Sequence, residues 1–172
     1  MGTMTKEKAE TKEKAETKEV KAAEEAVKEE PNTASKKIEA MKEFIEKARI
    51  NGIQLIEANE NNKILRSNLL IEGQSLPMFI VVNDTVYSYI QVHLVTVKEE
   101  KAEKCLRYLN ELNERFSMLK YFVNKGGNIV LTCSVPASDD AFEPALLIAL
   151  IDQVKKHLEE NYAELMKKVW QD

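Results

Sequence analysis

The sequence is poor in the side chains that most enzymes and metal sites need. Its 172 residues include two histidines, two cysteines and one tryptophan. Cys105 and Cys133 form no CxxC pair and have no histidine at ligand spacing, so both read as reduced, buried thiols rather than as a disulfide, metal or redox site. Two histidines and two buried thiols do not assemble a Ser/His/Asp or Cys/His set, so no catalytic residue, metal ligand, cofactor or small-molecule substrate is expected. Long apolar runs are also missing. The longest, Ala145 to Ile151, has seven residues, against the roughly 18 to 20 of a spanning helix. The amino terminus is rich in Lys and Glu where a secretory leader would be apolar, so the expected location is the cytoplasm, away from membranes. There is no excess of positive charge either. With a net charge of −4 and a pI near 5.5, the attraction that dominates nucleic-acid affinity is absent in bulk, and no nucleic-acid partner is expected.

What is present divides into two parts. The first 30 residues hold seven Lys and nine Glu, and "TKEKAE" at 5–10 repeats at 11–16. A period of six builds no apolar stripe, so residues 1–34 read as a disordered tail or a fraying helix with no face to bury. Residues 35–172 read as one domain, long enough to build its own core.

Within that domain Ile38, Met41, Ile45 and Ala48 recur at helical spacing, with Asn32, Thr33 or Ser35 as caps and Gly52 as the left-handed stop. From Ile53 to Val97 the period becomes two. Strands are expected near 53–58, 64–72, 77–83 and 85–97, divided by "NENN", "GQS" and a two-residue turn at Asn83-Asp84, with Pro77 at a strand start. A second helix carries Ala102, Cys105, Leu106, Leu109, Leu112 and Phe116 on one stripe. "LKYFV" and "NIVLTCSV" then form a hairpin through "NKGGN", where Gly126 and Gly127 can take positive φ. That turn lacks the GK[ST] ending of a phosphate loop. A long helix is expected from about Ala141 to Trp170, with Pro144 in its first turn and Leu147, Ile151, Val154, Leu158, Tyr162, Leu165 and Val169 on its stripe. The order helix, meander, helix, hairpin, helix is an α+β plan: a single antiparallel sheet with helices packed on one face.

Such a plan leaves the other sheet face open. Tyr87, Tyr89 and His93 share one face of their strand with Gln91, and Tyr162, Met166 and Trp170 lie toward the one-sided end of the last helix. These six residues are the expected partner-binding surface, since Tyr and Trp are enriched at hot spots. His157 reads as solvated. Asp139, Asp140 and Glu143 are the one acidic cluster that could hold Mg²⁺ or Ca²⁺ or do acid/base work, the basis of an alternative reading as a metal-dependent or hydrolytic enzyme. Their place at a helix start favours capping instead, with Asp140 and Glu143 at capping-box spacing.

The segments "YLNELNERF" (108–116), "MLKYFVNKGGNIVLTCSVP" (118–136) and "SDDAFEPALL" (138–147) resemble the YbjN family of bacterial sensory transduction regulators, over residues 36 to 170. The resemblance implies the fold of type III secretion chaperones. It implies a cytoplasmic protein-interaction or regulatory module, a chaperone-like adaptor, often a homodimer. It carries over no catalytic residues.

Overall fold

A computed structural model describes residues 33–59, 62–138 and 141–171. The expected tail at 1–34 lies outside them except for its last two residues, which already belong to a helix. Helix α1 runs from Thr33 to Lys47 and buries Ala34, Ile38 and Met41. It also buries Lys37, a charged side chain not expected inside. The Lys37 stem crosses apolar surface, and Nζ donates to the carbonyls of Asn83 at 3.3 Å and Thr85 at 2.5 Å. The helix ends earlier than expected. Arg49, at φ 53, takes the left-handed position that closes the helix, and Gly52, left-handed as expected at φ 83, lies three residues beyond it. The Ile50 N–H then donates to Ile45 C=O at 3.0 Å and the Arg49 N–H to Glu46 C=O at 3.1 Å, which closes the last turn.

Four strands follow as a meander: β1 (Gln54–Ala58), β2 (Asn62–Ile71), β3 (Gln74–Asn83) and β4 (Tyr87–Thr96). The turn between β2 and β3 is tighter than "GQS" suggested. Glu72 and Gly73, at φ 48 and 80, form a two-residue hairpin connection, so Gln74 and Ser75 already belong to β3. Pro77 therefore sits inside a strand, opposite Asn68, rather than at a strand start. It lies just before Met78, where pairing with β4 begins, so its missing donor breaks no bond on that side. The Asn83-Asp84 turn is in fact a three-residue loop, Asp84 to Val86, and Val86 is exposed outside β4.

Helix α2 (Glu99–Arg115) carries the chain across the sheet to the far edge, where β5 (Leu119–Val123) is laid down. Strand β6 (Asn128–Pro136) then inserts between β5 and β4, giving the order β1-β2-β3-β4-β6-β5, antiparallel throughout. α2 buries Ala102, Cys105, Leu109 and Leu112. Leu106 was expected on that stripe but is 51% exposed at its margin, and Phe116 is only partly buried. In the "NKGGN" turn Asn124 Oδ1 accepts the N–H groups of Gly126 at 2.9 Å and Asn128 at 3.0 Å, and only Gly127 has positive φ.

Helix α3 (Pro144–Trp170) begins three residues later than expected. Pro144 occupies its first turn, and Glu143 is the N-cap residue without a side-chain cap bond, so the capping-box spacing is not used by Glu143. Asp139 and Asp140 lie outside the described residues. Inward residues of the sheet, among them Leu65, Ile80, Ile90, Val92, Leu131 and Cys133, form one core with Met41, Leu109, Leu147, Leu158 and Leu165 of the helices. At roughly 25 cal/mol per Å² of apolar surface removed from water, this layer is the main source of stability. No helix among the described residues is long and apolar enough to cross a membrane.

Candidate functional site

Strand residues alternate between faces, and the antiparallel registers place the outward set in rows across the sheet. Arg66, Phe79, Gln91, Thr132 and Lys120 make one such row. The row on one side holds Ile64, Val81, Tyr89 and Ser134, and the row on the other holds Asn68, Pro77 and then His93, Val130 and Phe122. The result is a broad face on the side away from the helices, in which aromatic and branched side chains are interspersed with Arg66, Asn68, Gln91, Lys120 and Ser134.

Its centre is dense. The rings of Phe79 and His93 approach to 4.9 Å between centroids at an interplanar angle of 53°. Val130 is 1% exposed although it does not belong to the helix-side core. Thr132 is buried there as well, and its Oγ1 has no hydrogen-bond partner. Burial pushes the His93 pKa below its ordinary value, which keeps the imidazole neutral beside the Phe79 ring. At one end of the face the Asn83–Tyr87 loop is held by its own side chains. Asn83 Oδ1 accepts from Thr85 Oγ1 at 2.8 Å and from the Thr85 N–H at 3.1 Å, and Thr85 Oγ1 accepts the Tyr87 N–H at 3.2 Å. That loop presents Tyr87 and Val86, both exposed.

Of the six residues singled out from the sequence, Tyr87, Tyr89 and His93 meet on this face. The other three do not join them, because α3 packs on the opposite side. Tyr162 is a correction: it is 2% exposed, and its hydroxyl donates to Gln74 Oε1 at 2.8 Å. Its stripe position at helical spacing pointed inward, and the hydroxyl finds its partner at the β2–β3 turn. Met166 is partly buried against the core. Trp170 alone is open, 55% exposed with Lys101 Nζ 5.3 Å from its ring centre.

His157 is also corrected, from solvated to buried. Its Nε2 lies 2.6 Å from the Tyr121 hydroxyl, and the Phe116 ring meets it edge-on at 4.4 Å between centroids. Burial lowers its pKa, against the opposing effect of Glu160. Both thiols are buried, and desolvation raises their pKa values, which keeps them protonated. Among the described residues no three His, Cys, Asp or Glu side chains gather at metal-holding distance.

Phe79, Phe122, Val130 and Thr132 are not among the surface residues expected from the sequence. A signal existed in the alternation of "MFIVV" and "LKYFV", but which alternate set faces outward depends on where the helices land. No family model and no curated protein matches the chain.

Proposed function

We propose that residues 33–171 form a non-catalytic protein-binding module, a regulatory or chaperone-like adaptor of the YbjN type working in the cytoplasm, whose binding surface is the outer face of the sheet. One observation carries the reading: among the described residues, a contiguous face built from Phe79, Val81, Tyr89, His93, Val130 and Phe122 is left uncovered by the helices. Five strands about 4.8 Å apart, crossed by three rows about 6.6 Å apart, give this face an area on the order of 500 Å². That is below the roughly 800 Å² each partner contributes to a standard interface and suits a small, transient one.

The partner is a protein with an acidic rim. Arg66 and Lys120 stand exposed at opposite ends of the central row. Stacking two copies of the face in alignment sets Arg66 against Lys120 or against itself, a like-charge arrangement that disfavours self-association. The test is capture from the native cytosol on wild type and on a Tyr89→Asp/Phe122→Asp variant, beside a Trp170→Ala control. The reading predicts a protein retained by wild type and by Trp170→Ala but lost with the outer-face variant. Retention by the folded outer-face variant refutes it, and so does a dimer in sedimentation that this variant dissociates.

A further inference from the structure

The two edges of the sheet differ. An edge strand exposes a row of N–H and C=O groups that can pair with another extended chain, and folded proteins usually cover it. At β5 this is done by Asn113 of α2: its Nδ2 donates to Tyr121 C=O at 2.9 Å and its Oδ1 accepts the Tyr121 N–H at 2.6 Å. The side chain stands where a neighbouring strand would bond. Strand β1, at the other edge, pairs only with β2 among the described residues. The Asn59 N–H donates to Asn62 C=O at 3.1 Å, so the alternation of the ladder turns the N–H and C=O of Ala58 to the open side.

This open edge is flanked by an apolar recess. Between the end of α1 and β1 lies a groove of about 690 Å³ lined by Ile45, Ile53, Leu55 and Leu65, with Lys42, Glu46 and Arg49 at its rim. Leu55 and Ile56 are 40% and 51% exposed beside it.

We infer that the β1 edge and this groove form a second binding site, which takes an extended acidic peptide segment of a partner protein by strand addition. Three features point to that occupant. The outward backbone groups of β1 are satisfied in kind only by another extended backbone. The groove beside the edge accepts the apolar side chains of alternate residues on such a strand. The rim carries two cations against one carboxylate, and among the described residues Lys42 and Arg49 make no ion pair, so an Asp or Glu next to the apolar residue completes it. The irregularity between Leu55 and Glu57 shortens the regular edge and guards against indiscriminate pairing, so the groove supplies the selectivity.

The probe is a phage-displayed library of random 12-residue peptides selected on the full chain. Selected peptides are then synthesised with a fluorophore and titrated by anisotropy. Expected are sequences with apolar residues at alternate positions and at least one Asp or Glu. N-methylation of alternate amides should weaken the peptide about tenfold or more, as loss of backbone hydrogen bonds requires. Leu55→Asp should abolish binding, and Lys42→Glu/Arg49→Glu should weaken it about tenfold at low salt. These positions are exposed, so the fold is retained, and Tyr89→Asp should leave affinity unchanged, separating this site from the outer face. No enriched sequence, or peptides indifferent both to N-methylation and to Leu55→Asp, overturns the inference. So does a concentration-dependent dimer that Leu55→Asp dissociates, since the edge would then belong to a second copy.

Discussion

Replacing Gly127 by alanine tests how the hairpin that carries Phe122 and Val130 is held. Gly127 has φ +74, and a Cβ added there would lie 2.5 Å from the carbonyl oxygen of Val97. The left-handed conformation alone costs an L-residue about 1–2 kcal/mol. The steric overlap adds to this, because the obstacle is backbone and cannot swing aside. Relief requires the turn to move away from Val97, which strains the bond from the Val97 N–H to Gly127 C=O, now 2.9 Å, worth about 1 kcal/mol. The total is about 3 kcal/mol or more. Gly73 provides the control, since its φ is +80 but nothing lies within 4 Å of its added Cβ; Gly73→Ala should cost only the conformational term of about 1–2 kcal/mol. Urea unfolding of both variants, followed by far-UV circular dichroism at a shared slope, reads the difference. Equal destabilisation by the two substitutions would refute the close approach of the turn to Val97.

Asn113→Ala should cost about 1–3 kcal/mol, because it leaves the Tyr121 N–H and C=O without their partner; it should also make the protein aggregate, read by light scattering, as the guarded edge opens. The histidines set a pH dependence. Burial lowers the folded pKa of both His157 and His93, so the neutral forms stabilise the fold above the unfolded value of about 6.5. That stability is lost as pH falls below 6.5 toward the folded values. Urea midpoints between pH 8 and pH 5 should therefore fall more steeply in wild type than in His157→Gln, whose own midpoint at pH 8 is lower. Cys105 and Cys133 should react with a thiol reagent slowly in buffer and fully in denaturant; rapid native labelling of either would contradict their burial.

Helix stripes and strand alternation make the fold legible in the sequence, because Leu109, Leu112, Leu147, Leu158 and Leu165 recur at helical spacing and all are buried. Turn boundaries were harder. A left-handed Glu72 and a left-handed Arg49 do jobs usually given to Gly, so composition alone pointed one or more residues away. Polar burial was harder still. Lys37, Tyr162 and His157 are held inside by Asn83 and Thr85, by Gln74 and by Tyr121 respectively, partners between 36 and 88 positions away in the chain. Half of the candidate surface, Tyr87, Tyr89 and His93, was readable because one strand supplies it. Phe79, Phe122 and Val130 come from three other strands, and only the registers bring them together.

The central claim is that a partner docks on the outer sheet face, and a photo-crosslinking scan tests it most directly. A benzophenone side chain placed in turn at Gln91, at Lys120 and, as a control on the solvent side of α2, at Glu114 is irradiated in the native cytosol. The account predicts the same adduct from positions 91 and 120, lost when Phe79 is changed to Asp, and none from position 114. Adducts from position 114 alone, or adducts from 91 and 120 that persist in a folded Phe79→Asp variant, would contradict it.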